Sequence, residues 1–118
     1  MYDNPGQDPL IDAQIRIIGE TSQMAAAWYL PQDVDICQPG ISPLLSDLSL
    51  LPKTTVMTAE YDFLRASCEA LSRKLVEAGV ETRHIRYGGI FHGTFDRLGY
   101  APQVEDMLQE IADDLKAL

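Results

Sequence analysis

A chain of 118 residues, 46% of them hydrophobic and 23% charged, has the size and composition of one globular domain or part of one, which excludes a wholly disordered protein. Nine basic against eighteen acidic residues give a formal net charge of -9. This charge repels nucleic acids and anionic membrane surfaces, so neither is expected as a partner.

The sequence carries no pattern of a secretion signal or of a membrane span. Its first residues lack a basic start followed by an apolar stretch, and no apolar run approaches the ~20 residues that cross a bilayer. These features predict a cytoplasmic chain. The two cysteines, Cys37 and Cys68, lack the spacing of a metal site and are expected to be reduced thiols.

The first 52 residues are predicted to be mainly connecting structure. Prolines, glycines and scattered acids in the first 20 residues show no regular hydrophobic period, which is typical of a chain joined in mid-fold. A helix is predicted over Met24–Leu30, with Thr21 or Ser22 as its N-cap and a proline after its end. The leucines of Gln32–Pro52 indicate a loop that packs on a core.

The following residues predict a strand, a helix and a second strand. Lys53–Ala59 is rich in β-branched residues and follows a proline, which favours a strand. An apolar stripe over Ala66–Ala78, with Gly79 behind it, is typical of a helix and its C-terminal glycine. Val80–Tyr87 alternates weakly and is polar, which favours a strand near a sheet edge. Because a helix connects the strands, they should be parallel.

A closing helix is predicted from Pro102, which suits the first helical turn because it has no N–H to leave unpaired. One face of this helix is apolar and is expected to be buried: Val104, Met107, Leu108, Ile111, Leu115 and Leu118. Another face is acidic and is expected to be only a solvated surface: Glu105, Asp106, Glu110, Asp113 and Asp114.

Two residues at predicted strand ends suggest a catalytic site. Asp62 follows the first strand, and His92 lies in a glycine-rich loop over residues 88–93 after the second strand. Ligands of parallel α/β sheets bind beyond the carboxyl ends of the strands. A carboxylate there can fix the tautomer of an imidazole and leave its other nitrogen able to accept a proton from a nucleophile. The structural alternatives are a turn or N-cap aspartate and a turn histidine. His84 is expected to be a surface residue.

Five stretches follow one another in a familiar order and spacing: Ser42-Pro43-Leu44, Leu51-Pro52, Val56–Arg65, Leu75–Val80, and Arg86-Tyr87 leading to His92-Gly93. Together they resemble the C-terminal half of the hormone-sensitive-lipase-like esterases, a family of α/β-hydrolases. The resemblance implies the C-terminal portion of a single α/β-hydrolase domain with an incomplete sheet. Residues 1–52 would be a cap-linked and connecting segment, and residues 53–118 the strand-helix-strand-helix core of parallel strands and flanking helices.

The resemblance also implies a function and its residues. Members of this family are serine-dependent hydrolases of short-chain carboxylic esters, esterases or lipases, with a small-molecule ester as partner and no metal or organic cofactor. By resemblance, Asp62 is the acid of the catalytic triad and His92 is its general base. Three apolar residues would lie near them and bind the substrate: Leu64, Ile90 and Phe91.

Half of the expected catalytic machinery is missing from the sequence. No serine has the two flanking glycines of a G-x-S-x-G elbow, and no His-Gly-Gly-Gly run supplies oxyanion-hole donors. Cys37 and Cys68 are poorly suited to replace the serine. The parent protein is therefore expected to be the esterase, and the 118-residue chain alone to be inactive. Two departures from the family, Ala66-Ser67 in place of an acidic pair and Thr94 in place of an aromatic residue, concern the packing of the His92 loop.

Two other interpretations fit the sequence. In the first, the chain is a non-catalytic module left from a truncated hydrolase, which dimerises or binds a partner through an exposed sheet edge. The second is a small flavodoxin-like or receiver-like domain, whose length fits. Such folds need about five strands, however, and only two are predicted here. An exposed edge also makes a homo-oligomer an expected state of the isolated chain.

Overall fold

A computed structural model of the chain describes residues 24–117. The predicted irregular start at residues 1–20, the predicted N-cap at Thr21 or Ser22, and Leu118 lie outside the described residues. Helix α1 covers residues 24–29, in agreement with the helix predicted over Met24–Leu30.

The segment before the first strand packs on the core through one leucine. It contains turns and two short 3-10 helices, Pro43–Leu45 and Leu48–Leu50. Leu48 is 6% exposed and packs with Leu75 and Val80. The other leucines of the segment are partly or fully exposed. The predicted loop therefore contributes one buried leucine to the core.

The rest of the described chain forms β1 (Thr54–Tyr61), α2 (Arg65–Glu77), β2 (Thr82–Phe91) and α3 (Pro102–Lys116). The two strands pair in parallel, as predicted, in a two-stranded sheet. Val56 packs with the buried cluster at α2, and its neighbour Met57 packs with the buried cluster at α3. Successive side chains of a strand point to opposite faces, so the sheet lies between the two helices. None of the helices within residues 24–117 is both long and apolar enough to cross a bilayer.

The turn between α2 and β2 is a Schellman motif, in which two backbone hydrogen bonds close the end of a helix. Gly79 has a φ of 80°, and its N–H donates to the C=O of Val76 over 3.0 Å. The N–H of Val80 donates to the C=O of Leu75, also over 3.0 Å, and these two side chains are buried together. The predicted C-terminal glycine thus fixes the direction in which the chain returns to the sheet.

Strand β2 is longer than the sequence predicted. The prediction placed a strand over Val80–Tyr87 and a loop over residues 88–93, but the strand continues through both glycines to Phe91. Strand β1 likewise runs to Tyr61 and does not end at Ala59. Tyr61 pairs with Phe91, and this pairing between distant residues overrides the low strand propensity of glycine.

Helix α3 buries less of its apolar face than predicted. Val104 and Met107 are buried, Leu108 and Ile111 are half-buried, and Leu115 is 63% exposed. The prediction that Leu115 is buried is wrong. The two-stranded sheet of the described residues is too narrow to cover the last turn of the helix.

The acidic face of α3 is also not only a solvated surface, and that prediction is wrong for three of its residues. Asp106 accepts a hydrogen bond from the hydroxyl group of Tyr87 over 2.7 Å. Asp114 accepts one from a threonine hydroxyl of β1 over 2.6 Å, and Glu110 forms an ion pair with Arg83. These contacts hold α3 against the sheet, although Asp106 is an exposed residue, as are the other two acids of the face.

Candidate active site

Asp62 and His92 lie in contact beyond the carboxyl ends of the two strands. Nδ1 of His92 is 3.1 Å from Oδ2 and 3.2 Å from Oδ1 of Asp62. The Asp62 side chain is 18% exposed and that of His92 is 47% exposed. With its proton on Nδ1, the imidazole donates to the carboxylate. Among residues 24–117, Nε2 has no hydrogen-bond partner and is therefore available to accept a proton.

The turn that follows β1 fixes the position of Asp62. Its Oδ1 accepts a hydrogen bond from the backbone N–H of Leu64 over 2.8 Å, and its C=O accepts one from the N–H of Arg65 over 3.1 Å. Asp62 is therefore the turn aspartate of the structural alternative and a partner of His92 at the same time. The two interpretations describe one residue with two sets of contacts.

The loop that carries His92 is closed by Thr94. This threonine is 1% exposed; its hydroxyl group donates to the C=O of Phe91 over 2.6 Å and accepts from the N–H of Phe91 over 3.2 Å. Gly93 takes a φ of 76°, a conformation that is available to glycine at little cost. Thr94, which stands where the family commonly has an aromatic residue, thus forms part of the turn directly after His92. The aromatic residue that follows it, Phe95, is 44% exposed.

Phe63 is a neighbour of the pair that the sequence analysis did not identify. Its ring centroid lies 4.7 Å from that of the His92 imidazole, and the two planes are tilted by 51°. This contact restricts the orientation of the imidazole beside Asp62. The only signal in the sequence was the position of Phe63 next to the predicted acid.

A buried arginine below the Asp62 turn was also not identified. Arg65 is 3% exposed, and its guanidinium donates to the backbone C=O of Glu60. Its Nε lies 3.7 Å from Glu69, which in turn lies 3.8 Å from Arg86 on β2. Arg65 therefore ties the first turn of α2 to the end of β1. A charged residue beside the apolar stripe of a helix gave no sequence signal of burial.

The three residues expected to bind substrate have different surroundings. Leu64 is 43% exposed, whereas Ile90 is 1% exposed and packs in the core with Met107. Phe91 is half-buried; its ring centroid is 6.0 Å from that of Tyr100 and 5.5 Å from the guanidinium carbon of Arg97. Of the three side chains, Leu64 is the one that lies open beside Asp62. The substrate-binding role of the three stays a prediction.

Cys68 lies on α2, where the charge of Asp62 affects its thiol. Burial, followed by the negative charges of Asp62 and Glu69, raises the pKa of the Cys68 thiol. A thiol with a raised pKa forms less thiolate and is a weaker nucleophile. Cys37 is exposed and, like Cys68, is not in a disulfide. Within the described part of the chain, no three metal-binding side chains cluster together.

An open apolar groove of about 720 Å³ begins beside the Asp62 turn. Its lining comes from the loop before β1 and from α2: Ile41, Ser42, Pro43, Leu44, Leu45, Leu64, Ser67, Cys68 and Leu71. Leu64 belongs both to this groove and to the turn that holds Asp62, so the groove opens next to the candidate pair.

The chain is similar to several esterases. An arylesterase from Saccharolobus solfataricus is 38% identical over 88 residues, which cover 74% of this chain and 29% of the arylesterase. A solved structure of a hyperthermophilic esterase from the archaeon Pyrobaculum calidifontis matches with a TM-score of 0.68 and 35% identity, covering 75% of this chain and 28% of that one. An ester hydrolase from the metagenome of Lake Arreo also matches with a TM-score of 0.68, at 37% identity and with 75% and 29% covered.

The match covers only part of each of these relatives. The chain spans less than a third of the length of each of the three. That share is consistent with the predicted portion of a larger α/β domain. The sequence model of a family described as alpha/beta hydrolase fold matches residues 4–96, which is most of the chain. The chain therefore belongs to the α/β-hydrolase family, as its resemblance to the hormone-sensitive-lipase-like esterases predicted.

Proposed function

We propose that these residues supply the acid and the histidine of a Ser-His-Asp triad that hydrolyses carboxylic esters. The observation that carries the proposal is the contact of Asp62 with Nδ1 of His92 beyond the ends of two parallel strands. The chain order, with the acid before the histidine, is that of the α/β-hydrolases. The relatives named above, an arylesterase and two ester hydrolases, support the same reaction class.

In the proposed reaction, Nε2 of His92 takes the proton of a serine hydroxyl group while the serine oxygen attacks the ester carbonyl carbon. The carboxylate of Asp62 holds the imidazole in the Nδ1–H tautomer and stabilises the imidazolium that forms. The imidazolium then gives its proton to the leaving alkoxide, which departs as an alcohol. Water, deprotonated by His92, attacks the carbonyl carbon of the acyl-serine. The bond between this carbon and the serine oxygen then breaks, the imidazolium returns its proton to the serine oxygen, and the carboxylic acid is released.

The serine and the oxyanion-hole donors come, in this proposal, from a part of the protein outside these 118 residues. The sequence offers no G-x-S-x-G elbow, and the thiol of Cys68 has a raised pKa. The 118-residue chain by itself is therefore proposed to turn over no ester. Asp62 and His92 need a hydroxyl nucleophile within reach of Nε2 before they can act.

The first test is substitution in the natural polypeptide that contains these residues. Asp62→Asn and His92→Ala should each lower kcat/KM for a short-chain aryl ester by about 10⁴-fold, the size of effect that loss of a triad residue has elsewhere. His84→Ala is the matched control, because His84 is the other histidine of the chain, lies exposed on β2, and bonds to Thr58 and not to Asp62. Near-normal activity of either substituted protein would contradict the proposal.

A second test separates the whole protein from the 118-residue chain. The mass of the natural polypeptide should be more than twice the 13.1 kDa of this chain, and that polypeptide should react covalently with a fluorophosphonate. The isolated chain should not react. Labelling of the isolated chain would mean that one of its own residues is the nucleophile.

The sheet supports a second candidate function, that of a binding module. Within residues 24–117 the sheet has two strands, so each strand has one edge without a neighbouring strand. Such edges pair readily with other strands. A natural polypeptide of 13.1 kDa, without esterase activity, would favour this function over catalysis.

A further inference from the structure

The contact between Asp62 and His92 depends on a shift in strand register. From Thr54 to Ala59, each residue of β1 pairs with the residue 28 positions later on β2. After Ala59 the register changes, and Tyr61 pairs with Phe91, which is 30 positions later. In the first register, Asp62 would lie opposite Ile90. In the second register, it lies opposite His92.

A register shift of two positions thus decides whether Asp62 and His92 can come into contact. A strand advances by about 3.3 Å per residue, so an unshifted register would leave His92 roughly 6–7 Å beyond its position beside Asp62. The extra residues of β2 form a bulge at Gly88 and Gly89, where Gly89 has a φ of 75°. Bulges of this kind re-aim the residues that follow them.

Two side chains hold the bulge from neighbouring elements. Oε2 of Glu60 accepts a hydrogen bond from the backbone N–H of Gly89 over 2.8 Å. The side-chain amide of Gln103, on α3, donates to the backbone C=O of Gly88 over 3.1 Å. The peptide groups of the bulge are thereby bonded from β1 on one side and from α3 on the other.

Glu60 is itself held in place. It is the residue of β1 between Ala59 and Tyr61, where the register changes. Its backbone C=O accepts a hydrogen bond from the buried guanidinium of Arg65. With its backbone fixed in this way, the carboxylate is set opposite the bulge.

We infer that Glu60 is a positioning residue for His92: its carboxylate fixes the Gly88-Gly89 bulge, and the bulge places the imidazole beside Asp62. This inference rests on the proposed function of the pair. Glu60 touches neither the imidazole nor Asp62 through its carboxylate, so it acts through the backbone of β2. A hydrogen bond from a backbone N–H to a charged carboxylate is stronger than one to a neutral acceptor. The bond from Gly89 to Glu60 can therefore hold the backbone of the bulge in one conformation.

The deciding experiment observes the His92 imidazole directly in the natural polypeptide. Long-range ¹H–¹⁵N spectra, recorded with the ring neutral, report which nitrogen carries the proton. We expect the Nδ1–H tautomer in the unsubstituted protein and a shift to mainly Nε2–H in Glu60→Ala. The amide proton of Gly89 should move upfield in the same variant, because it loses its carboxylate acceptor.

Two further variants separate positioning from general damage. Glu60→Gln keeps an oxygen acceptor at the same distance and should restore the Nδ1–H tautomer. Glu77→Ala removes an exposed glutamate at the end of α2 and should leave both signals unchanged. If Glu60→Ala does not fold, Gln103→Ala tests the other side of the bulge and should move the same two signals. Where the natural polypeptide is active, Glu60→Ala should lower kcat by about 10²-fold at nearly constant KM, the cost of a misplaced catalytic group.

The outcomes distinguish this inference from the function on which it rests. An Nε2–H tautomer in the unsubstituted protein would overturn the Asp62–His92 pair itself. An Nδ1–H tautomer that persists in Glu60→Ala, or in Gln103→Ala where Glu60→Ala does not fold, would overturn the positioning role and leave the pair intact, whether or not the Gly89 amide signal moves.

Discussion

At the scale of single residues, the adjacent glycines Gly88 and Gly89 differ in whether their backbone conformation requires glycine. Gly89 has a φ of 75°, which is unfavourable for any residue with a Cβ atom, while the φ of Gly88 lies outside this left-handed region. Space is not the constraint. A Cβ atom on Gly88 would lie 3.6 Å from Glu60, and one on Gly89 would lie 3.8 Å from Gln103, both ordinary contact distances.

We therefore expect Gly89→Ala to lower the free energy of unfolding by about 1–2 kcal/mol, the cost of a left-handed alanine. Gly88→Ala is the matched control and should change it by no more than about 0.5 kcal/mol. Urea denaturation of the two variants measures both values. Equal losses would mean that the backbone conformation at Gly89 is not what makes the bulge sensitive.

Tyr87 makes the stability of the folded chain depend on alkaline pH. Burial, together with the hydrogen bond to Asp106 and the charge of that carboxylate, raises the pKa of Tyr87 from 10.0 to about 12, against the lowering effect of Arg83. The folded chain therefore keeps the phenol proton in a pH range where the unfolded chain releases it. The stabilisation is complete below the unfolded pKa of 10.0 and is lost as the pH rises towards about 12.

The corresponding prediction compares the unsubstituted chain with Tyr87→Phe. The free energy of unfolding should fall more steeply between about pH 10 and 12 in the unsubstituted chain, because a phenylalanine side chain has no hydroxyl group to titrate. Denaturation in urea at several pH values measures the two slopes, and the other titrating groups affect both proteins alike. Parallel slopes would contradict the raised pKa.

At the scale of elements, Arg65 joins α2 to both strands. Its guanidinium reaches the backbone of β1 at Glu60, and Glu69 links it to Arg86 on β2. Arg65 and Glu69 are 3% and 15% exposed, so little water screens their charges. Removal of Arg65 takes one of two positive charges away from the half-buried Glu69 and takes a donor away from the C=O of Glu60.

Arg65→Ala should accordingly lower the free energy of unfolding by about 3 kcal/mol. Arg73→Ala is the control on the same helix, since Arg73 is exposed, and it should have an effect within about 0.5 kcal/mol. Thermal and urea denaturation of both variants provide the test. A loss below about 1 kcal/mol for Arg65→Ala would show that the buried arginine is not a structural link between the elements.

At the scale of the whole molecule, apolar surface remains open where the sheet is narrow. A groove of about 480 Å³ runs between the start of β1 and the last turns of α3, and its lining includes Met57, Phe95, Ile111 and Leu115. Each strand also has an outer edge that pairs with no strand of residues 24–117. Open apolar surface and open strand edges both favour association with another chain.

The isolated chain should therefore self-associate at micromolar concentration, as sedimentation velocity would detect. Each copy carries a formal charge of -9, so added salt should strengthen the association by screening the repulsion. Leu115→Glu should weaken it, whereas Leu98→Glu adds the same charge at another exposed leucine outside the groove and should have less effect. A monomer at all salt concentrations would contradict this prediction.

The sequence by itself determined the local features of this protein. Repeating apolar positions determined α2 and α3, β-branched residues determined β1, and Gly79 determined where α2 ends, because each depends on residues within one or two turns. The same holds for the chain order of Asp62 and His92. The absence of a G-x-S-x-G elbow from these residues could also be read from the sequence alone, since the elbow around a serine is a short, contiguous pattern.

Only the tertiary structure decided how the two strands align. The shift that brings His92 opposite Asp62 depends on pairing between residues about 30 positions apart, on the carboxylate of Glu60 and on an amide of α3. The sequence predicted a loop at Gly88 because glycine has a low strand propensity, and it gave no sign that Arg65 is buried. Register and burial are properties of several segments packed together, so a pattern within any one of those segments could not determine them.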